Sequence, residues 1–545
     1  MNTAKIAAIK ATQTNMERKR MRLSFVSSLK DCANKKDLYQ GSRIHADIRD
    51  SGFLETDTYL GNMLVSMYIK CGEPVRAQQV FEELPARDAV SWNTLIAGYT
   101  QQGQGQEAQG CFQQMQSEGL TPDAITYACI LKACGSTQDD DMGIKIHADI
   151  VSQGMLQKDV VLGTALVDMY AKCGLPQKAQ RVLEELRVRD IVSWSALIAG
   201  YVQQEQGQEA LSCFQRMRSE GLSPDAITYA CILKACASTQ DADMGIQIHH
   251  DIVSQGMLQN NVVLGTALVD MYAKCGLLQK AQKVLEELRV WDAVSWSALI
   301  AGYAQQEQGQ KALGCFQRMQ SEGLSPDAIT YACILKACGS MQDADMGIKI
   351  HADIVSQGLL QKNVVLGNAL VDMYAKCDAL QTAQKVLEEL PIRNVVSWSA
   401  LIAGYAQQEQ GQKALGCFQR MQSEGLSPDA ITYACILKAC GSTQDADMGR
   451  KIHADIVSQG LLKKDVVLGN ALVDMFAKCG ALQKAQKVLE ELPVRDVDSW
   501  NALIAGYAEQ GQGEEALSCF QRMQSERVSP NSVTYTFILK AMLTS

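Results

Sequence analysis

The sequence repeats itself with a period of 102 residues, and this repetition constrains its fold more than any other feature. The Ser-Trp pair at Ser91 recurs with that spacing at Ser193, Ser295, Ser397 and Ser499. Each period divides into three related segments of 31, 35 and 36 residues. Repeats of about 20 to 50 residues are typical of solenoids, in which each repeat packs against its neighbours in the chain.

Each segment has the hydrophobic pattern of a helical hairpin. In segment 160–190, Leu166, Met169 and Tyr170 lie at positions i, i+3 and i+4 of one predicted helix, and a second apolar stripe follows over residues 179–186. The alternation typical of β-strands does not interrupt this pattern. Because a single hairpin is too small to bury both of its faces, its stability must come from stacking on its neighbours.

We therefore predict an all-α protein, a right-handed α-solenoid superhelix of stacked helix-turn-helix repeats. The array spans residues 22–531 and contains about 15 repeats. It begins with segments 22–57, 58–88 and 89–123 and continues in units of 102 residues. Residues 532–545 form an incomplete further segment of the 36-residue type.

The composition and the repeated residues exclude several classes of function. No apolar run approaches the roughly 18 to 20 residues of a transmembrane helix, so we expect no membrane association. The 19 cysteines follow the repeat, as at Cys71 and Cys173, and include no Cys-x-x-Cys pair. We interpret them as small buried helix residues and not as disulfides or zinc ligands. Histidines such as His147 and His249 also recur once per period, which indicates a packing or capping role.

The sequence has neither a Gly-rich phosphate loop nor a His-x-Glu deaminase signature. A catalytic residue would also have no reason to recur once in each structural unit. We therefore predict that the chain is not an enzyme and that it has no catalytic residue, metal or cofactor.

Three families of paired-helix solenoids have repeats near this length. Tetratricopeptide repeats hold a fixed length of about 34 residues, and HEAT and armadillo repeats are longer. The alternating segments instead resemble pentatricopeptide repeat (PPR) proteins, and specifically the plant-type PLS subclass in which P, L and S motifs of about these lengths alternate. The residues that carry the resemblance are VSWSALIAGY at 192–201 for the P motif, AITYACILKAC at 226–236 for the L motif, and NALVDMFAKCGALQKAQKVLEELPVRD at 470–496 for the S motif.

This resemblance implies sequence-specific binding of single-stranded RNA, one nucleotide per motif, along the first helices of the hairpins. In the family, the fifth and last residues of a motif meet the base edge. In the S motifs these residues are Asn62 with Asp88, Thr164 with Asp190, Thr266 with Asp292, Asn368 with Asn394, and Asn470 with Asp496. In the P motifs they are Asn93 with Asp123, Ser195 with Asp225, Ser297 with Asp327, Ser399 with Asp429, and Asn501 with Asn531.

All ten pairs combine a short hydroxyl or amide side chain with Asp or Asn, groups that can donate to and accept from base edges. An alternative interpretation is that these polar residues are helix N-caps, which such side chains favour, and that recent duplication copied them.

The second residues of the motifs, which sandwich bases in the family, agree with the RNA-binding interpretation because they are aliphatic. Asp498 departs from this pattern. A carboxylate there would weaken stacking and repel phosphate, so we expect the P motif 497–531 to read its base weakly. The valines at the second position are Val90, Val161, Val192, Val263, Val294, Val365, Val396 and Val467, and Tyr59 occupies it in the first S motif.

The code implied by the resemblance predicts a target. Thr or Ser with Asp suggests G, Asn with Asp suggests U, and Asn with Asn suggests C. From residue 58 onward, with the RNA parallel to the chain, the target is 5'-UUnGGnGGnCGnUC-3'. The undefined positions are at the L motifs, whose fifth residues cannot hydrogen-bond a base edge and are Ala128, Ala230, Ala332 and Ala434.

The net charge of -9 has the wrong sign for a protein that grips phosphates by bulk electrostatics. We expect the glutamates of the VLEEL-type second helices to face outward and recognition to depend on base edges and stacking. The predicted affinity is therefore modest and its salt dependence shallow.

The resemblance also implies a role in organellar RNA processing. PLS proteins resemble C-to-U editing factors, which carry E motifs and often a zinc deaminase (DYW) domain after the last repeat. Neither is recognisable here, and the sequence stops at Ser545 within an L-like motif. We therefore expect either a truncated gene product or a site-recognition factor, itself a monomer, whose deaminase is supplied in trans.

Two alternatives to editing stay open. The first is an RNA stabilisation, splicing or translation factor that acts by binding alone, and the second, from another class, is a tetratricopeptide-type protein scaffold. The resemblance suggests mitochondrion or plastid, whereas the basic segment 1–21 is only weakly similar to a targeting sequence.

Overall fold

The computed structural model describes residues 2–258, 261–288, 292–361, 363–463 and 465–544. Within these residues the regular secondary structure consists of 31 α-helices and one 3-10 helix, Leu461–Lys463, without a strand. The chain divides into two compact units, Met1–Cys275 and Gly276–Ser545, and each unit is a stack of helical hairpins. The prediction of an all-α solenoid is confirmed. The targeting prediction concerns a segment whose side chains, up to residue 15, lie outside the described part of the chain.

The first helix of a hairpin has 13 or 14 residues in every described repeat after α1. These first helices are α1 (Asn2–Lys35), α3 (Thr58–Lys70), α5 (Ala89–Gln101), α7 (Ala124–Thr137), α9 (Val160–Lys172), α11 (Ile191–Gln203), α13 (Ala226–Thr239), α15 (Val262–Lys274), α17 (Ala293–Gln305), α19 (Ala328–Met341), α21 (Val364–Lys376), α23 (Val395–Gln407), α25 (Ala430–Thr443), α27 (Val466–Lys478), α29 (Val497–Glu509) and α31 (Ser532–Thr544).

The second helices follow after short turns. They are α2 (Leu38–Asp50), α4 (Pro74–Glu82), α6 (Gly105–Ser117), α8 (Asp140–Ser152), α10 (Pro176–Glu185), α12 (Gly207–Ser219), α14 (Ala242–Ser254), α16 (Leu278–Glu287), α18 (Gly309–Ser321), α20 (Ala344–Ser356), α22 (Leu380–Glu389), α24 (Gly411–Ser423), α26 (Ala446–Ser458), α28 (Leu482–Glu491) and α30 (Gly513–Ser525).

Within each unit, two layers arise because first helices pack on neighbouring first helices as well as on second helices. Within the first unit, α9 packs against α7, α10 and α11. Large aromatic side chains fill the space between the layers: Trp194 and Tyr229 are almost fully buried, and the rings of Phe81 and Trp92 meet edge to face with centroids 4.6 Å apart.

Left-handed residues end the second helices of the P motifs and return the chain to the next first helix. Gly221 has a φ of +79° and Gly425 a φ of +77°, a conformation that glycine adopts without steric cost. Arg527 occupies the equivalent position of the fifth 102-residue period, with a φ of +61°. This arginine is therefore a locally strained replacement.

The repeated histidines pack between helices, as predicted. Nδ1 of His147 on α8 is hydrogen-bonded to the hydroxyl of Tyr170 on α9 at 2.9 Å, and the same pair recurs as His351 with Tyr374 at 3.0 Å. Burial lowers the pKa of His147 and favours its neutral form. In the fifth 102-residue period, Phe476 replaces the tyrosine opposite His453. The ring contact is kept there, but the hydrogen bond to a tyrosine hydroxyl is lost.

The cysteines are free thiols throughout, but two repeated series differ in burial. Cys236 and Cys440 are fully buried, and burial raises the pKa of each thiol to about 12. Cys71 and Cys173 instead cap the C-terminal ends of α3 and α9 and are only half-buried. The prediction of buried helix residues is therefore wrong for this second series, because a residue at a helix end is covered on fewer sides.

Two further classes of structure are absent from the described part of the chain. None of its helices combines the length and the apolarity that crossing a membrane requires. Its His, Cys, Asp and Glu side chains also form no group of three that could hold a metal ion.

Candidate nucleic-acid interface

The second, fifth, ninth and thirteenth residues of each motif lie on one side of its first helix, which we call the first-helix face. Spacings of three, four and seven residues bring side chains to the same side of an α-helix. In α11 this face carries Val192, Ser195, Ala199 and Gln203.

Apolar side chains at the second position are exposed. The exposed fractions of the valines run from 56% for Val396 to 67% for Val467. A single exposed valine is ordinary, but the same position exposed on successive helices of one unit makes a row of exposed apolar side chains, which we call the aliphatic row. In the unit Met1–Cys275 this row consists of Tyr59, Val90, Ile125, Val161, Val192, Ile227 and Val263. In the unit Gly276–Ser545 it consists of Val294, Ile329, Val365, Val396, Ile431 and Val467.

The fifth and last residues of several motifs meet directly. The Nδ2 amide of Asn93 donates to both carboxylate oxygens of Asp123 at 3.0 Å. Asn470 donates to Asp496 in the same way, at 3.1 and 2.9 Å. Direct contacts also join Thr164 to Asp190 at 3.5 Å and Asn501 to Asn531 at 3.3 Å.

In the serine-containing P motifs the two residues are linked through a third. The hydroxyl of Ser195 lies 2.5 Å from that of Thr228, which donates to Oδ1 of Asp225 at 2.7 Å. Thr330 links Ser297 with Asp327, and Thr432 links Ser399 with Asp429, in the same arrangement. Sequence reasoning missed these threonines, which stand at the third position of every complete L motif from residue 124 onward.

Two predicted pairs form no hydrogen bond within the described residues. Asn62 does not bond Asp88, and Asn368 does not bond Asn394. The amide oxygens of both Asn62 and Asn368 are buried without a partner. Thr266 and Asp292 belong to different units, Met1–Cys275 and Gly276–Ser545.

The N-cap interpretation holds for the last residues and is wrong for the fifth residues. Asp88 caps α5 by accepting from the backbone N–H of Ser91 at 2.8 Å, and Asn394 caps α23 by accepting from that of Ser397 at 3.0 Å. The fifth residues, such as Asn93, lie inside the first helices instead. The last residue therefore has one atom engaged in the cap, which fixes how its other polar atom is presented.

The capping carboxylates of Asp123 and Asp496 are ionised at neutral pH. Burial opposes the charged form of Asp123, but hydrogen bonds from Thr126 and Asn93 outweigh it and keep the pKa below its usual value. The pKa of Asp496 is lowered in the same way, with burial opposed by hydrogen bonds from Ser499 and Asn470. An ionised carboxylate can only accept hydrogen bonds.

A cavity of about 380 Å³ opens on the first-helix face at the P motif 89–123. Its lining brings together Val90, Asn93, Asp123 and Ile125, which are the second, fifth and last residues of this motif and the second residue of the next. Lys70, the thirteenth residue of the preceding S motif, also lines it. Apolar and hydrogen-bonding groups thus border one open space.

The glutamates of the VLEEL-type segments lie elsewhere, on the second helices. Glu184 on α10 pairs with Arg216 on α12 at 3.0 Å, and Glu388 on α22 pairs with Arg420 on α24 at 2.9 Å. All four side chains are well exposed, as we expected for these glutamates. Such surface pairs add little stability but neutralise one another's charge.

Sequence reasoning also missed the lysines of the first-helix face. In the S motifs from residue 160 onward the thirteenth residue pairs with the ninth: Lys172 lies 2.7 Å from Asp168. In the L motifs the ninth residue is Lys132 or its equivalent, exposed and seven residues after the exposed Ile125. The spacing of seven residues was the signal that could have identified it.

The sequence matches known repeat families over more than half of its length. It matches the PPR repeat family at residues 87–136, 189–238, 291–340, 393–442 and 495–544. It matches the PPR repeat at residues 62–88, 164–191, 266–292 and 470–497.

Curated relatives in Arabidopsis thaliana are similar along almost the whole chain. A mitochondrial pentatricopeptide repeat-containing protein is 35% identical over 540 residues, which cover 95% of this chain and 59% of the relative. A chloroplastic one is 33% identical over 498 residues, which cover 91% of this chain and 80% of the relative. This chain thus spans about three fifths of the first relative's length. The compartments in these names agree with the expectation of mitochondrion or plastid.

Solved structures share the fold. The crystal structure of the pentatricopeptide repeat protein PPR10 from maize aligns with a TM-score of 0.61 at 20% identity and covers 97% of this chain and 92% of that one. PPR10 in complex with an 18-nt psaJ RNA element aligns with a TM-score of 0.53 at 19% identity and covers 88% and 81%. Together with the sequence matches, the helical hairpins and their first-helix face establish that this chain belongs to the pentatricopeptide repeat family.

Proposed function

We propose that this chain binds single-stranded RNA sequence-specifically, with one nucleotide per motif and with base reading by the P and S motifs. The observation that carries the proposal is the repeated combination of an exposed aliphatic second residue with a polar fifth and last residue on one side of the first helix. The face of a base packs on apolar side chains, whereas its edge requires hydrogen-bonding groups beside them. The cavity at Asn93 and Asp123 offers both.

The cap geometry supplies a physical reason for base choice. In Asp225 the cap engages Oδ1, and Oδ2 has no partner among the described residues, so an acceptor is presented. Guanine and uracil carry ring N–H donors on the edges that pair in a duplex, whereas cytosine carries an acceptor there. An ionised Asp therefore favours G or U over C.

Asn in the same place reverses this preference. Asn394 and Asn531 also engage Oδ1 in their caps, which leaves the Nδ2 amide without a partner in the described structure. That amide can donate to the ring nitrogen of cytosine. The unengaged amides of Asn394 and Asn531 therefore support C at these two motifs, in agreement with the target 5'-UUnGGnGGnCGnUC-3'.

The biological role that we propose is organellar RNA processing in mitochondrion or plastid. The alternating motifs of 31, 35 and 36 residues favour the PLS subclass and, with it, recognition of a C-to-U editing site by a monomer that works with a DYW-type deaminase in trans. The relatives named mitochondrial and chloroplastic and the likeness to RNA-bound PPR10 support a role of this kind.

The test is binding of the purified chain to the predicted 14-nucleotide RNA, to a scramble of the same composition and to the matching single-stranded DNA. We expect the predicted RNA to bind at least tenfold more tightly than the scramble, about 1.4 kcal/mol, because each well-placed base contact contributes on the order of 1 kcal/mol. Equal or absent binding would refute the proposal and favour a protein-binding scaffold.

A switch of specificity tests the base-reading residues themselves. The double variant Asn368→Thr with Asn394→Asp replaces the presented amide by a carboxylate, so its preference should move from C to G at the tenth position by about 1–3 kcal/mol. The unchanged neighbouring motif, which contains Ser399 and Asp429, is the internal control. Its preference for G at the next nucleotide should stay the same in both proteins. A variant that still prefers C would contradict the assignment.

A further inference from the structure

We propose that the ninth residues of the L motifs, Lys132, Lys234, Lys336 and Lys438, bind the phosphates of the RNA, so that the L motifs hold the backbone without reading a base. The inference rests on the proposed RNA binding and concerns the motifs to which that proposal assigns no base.

These lysines lie on the first-helix face, on the same side as the aliphatic second residues. Lys132 stands seven residues after Ile125, which is two turns of α7, so the two side chains share one side of the helix. Both are exposed. A lysine there can reach the backbone of an RNA strand whose bases lie against the aliphatic row.

The lack of an ion pair distinguishes these lysines from the lysines of the later S motifs. No ion pair or hydrogen bond involves Lys132, Lys234, Lys336 or Lys438 within the described residues. From residue 160 onward the thirteenth residues of the S motifs are engaged instead: Lys172 pairs with Asp168, and Lys274 pairs with Asp270 at 2.9 Å. In the first S motif the ninth residue is a serine, and its Lys70 has no ion pair within the described residues. Arginines such as Arg216 are held by glutamates of the second helices.

From residue 124 onward, base-reading groups and unpaired lysines lie on the first helices of different motifs. Ala128 offers no hydrogen bond to a base, and its first helix carries the unpaired Lys132. Thr164 offers a hydroxyl, and its first helix carries the neutralised pair of Lys172 and Asp168. P motifs have the polar fifth residue and a neutral ninth residue, as in Ala199.

The last first helix follows the same division. In α31 the fifth position is the polar Thr536, and the lysine four residues later, Lys540, pairs with Glu509 at 3.7 Å. At the ninth position, therefore, the lysine has no ion pair where the fifth residue is alanine, in the four L motifs, and is paired where the fifth residue is the polar Thr536.

The salt dependence of binding tests the proposal. The quadruple variant that replaces Lys132, Lys234, Lys336 and Lys438 with Gln should lose about 0.7 per lysine from the slope of log affinity against log salt, or about 2.8 in all. Between 50 and 200 mM salt this amounts to a roughly fiftyfold smaller loss of affinity. The preference for the predicted RNA over its scramble should stay unchanged, because the lysines contact no base.

A control with the same change of net charge is available in the chain. The variant that replaces Lys172, Lys274, Lys376 and Lys478 with Gln also removes four positive charges, but from lysines that carboxylates already neutralise. Its slope should change by less than half as much. Arginine at the four L positions should restore the slope.

Three outcomes separate the two proposals. Equal slopes in the wild type and the L-motif variant would overturn phosphate binding even if the RNA preference is intact. Equal changes in the L-motif and S-motif variants would also overturn it, because net charge alone would then explain the effect. A wild type that binds all RNAs equally, with a slope that falls only in the L-motif variant, would refute base reading and support phosphate binding.

Discussion

At the scale of single residues, the chain places two demands on the last residue of a motif. Asp88 and its equivalents start the next first helix and also present a polar atom beside the fifth residue. The cap engages one oxygen, so a change between Asp and Asn alters the presented atom from acceptor to donor without moving the backbone. Both Asp and Asn can cap a helix, so the last residue can change between them from motif to motif while the cap is kept.

One prediction at this scale concerns Arg527. Arg527→Gly should stabilise the fifth 102-residue period by about 0.5–1 kcal/mol. A side chain in the left-handed region costs about 1–2 kcal/mol, but the greater freedom of glycine in the unfolded chain offsets part of the gain from removing it. Hydrogen exchange of the amides in α30 and α31 measures the local effect. Gly425→Arg is the reverse change at the equivalent position and should destabilise by a similar amount; the same sign in both variants would contradict the account.

At the scale of elements, glycine sets how closely two first helices pack. An ideal Cβ on Gly404 in α23 would lie 2.9 Å from the Cβ of Ala375 in α21, closer than real Cβ atoms approach. At Gly506, the same position of the fifth 102-residue period, an added Cβ would lie 2.7 Å from the Cβ of Ala477. The spacing of the first helices, and with it the spacing of the aliphatic row within a unit, depends on these residues.

The variant Gly404→Ala should therefore destabilise the protein. Overpacking costs about 1–3 kcal/mol, and the better helix propensity of alanine returns about 1 kcal/mol, so we expect a net loss of up to about 2 kcal/mol in thermal or urea unfolding. Gly416→Ala in α24 of the same hairpin is the control, because nothing lies within 4 Å of its Cβ position. That variant should gain about 1 kcal/mol. A Gly404→Ala protein as stable as the control would show that the helices adjust freely.

At the scale of the whole molecule, a net charge of -9 coexists with a first-helix face on which the lysines of the L motifs are unpaired within the described residues. The glutamates lie on the second helices, paired with arginines. Total charge is therefore a poor guide to whether this protein can approach RNA, because charge acts locally within about 10 Å at physiological salt.

The buried histidines make the stability of the whole array depend on pH. Burial lowers the pKa of His45, His147, His351 and His453 in the folded protein. Above the ordinary histidine pKa of about 6.5 both states are neutral and no penalty exists. As the pH falls below that value the unfolded chain binds protons that the folded chain does not, so stability falls.

The measurement is the midpoint of thermal unfolding between pH 7.5 and 5.5, which should decrease over this range. Replacing His147 and His351 with Gln should flatten the decrease, because two of the resisting groups are removed. The control is His250→Gln, which removes an exposed histidine. An equally steep decrease in the double variant would assign the pH dependence to other groups.

The sequence by itself determined the fold class, the period and which residues share a helix face. Helical spacing is local, so Val192 and Ser195 could be placed on one side of α11 without any tertiary information. The repetition also separated packing residues such as His147 from residues of a catalytic site, because a single site has no reason to recur with the period of the fold.

Only the tertiary structure decided what meets across the helices. The hydrogen bond from Asn93 to Asp123 joins residues that are 30 positions apart in the sequence. Thr228 links Ser195 with Asp225 because α11 packs on α13. Lys132 is unpaired because no carboxylate of the described residues comes within ion-pair distance of it. Hydrogen bonds and ion pairs require contact distances of about 3–4 Å, and those distances are set by the stacking of the hairpins. Sequence spacing specifies direction along a helix, whereas the approach of neighbouring helices decides which of the residues facing that direction become partners.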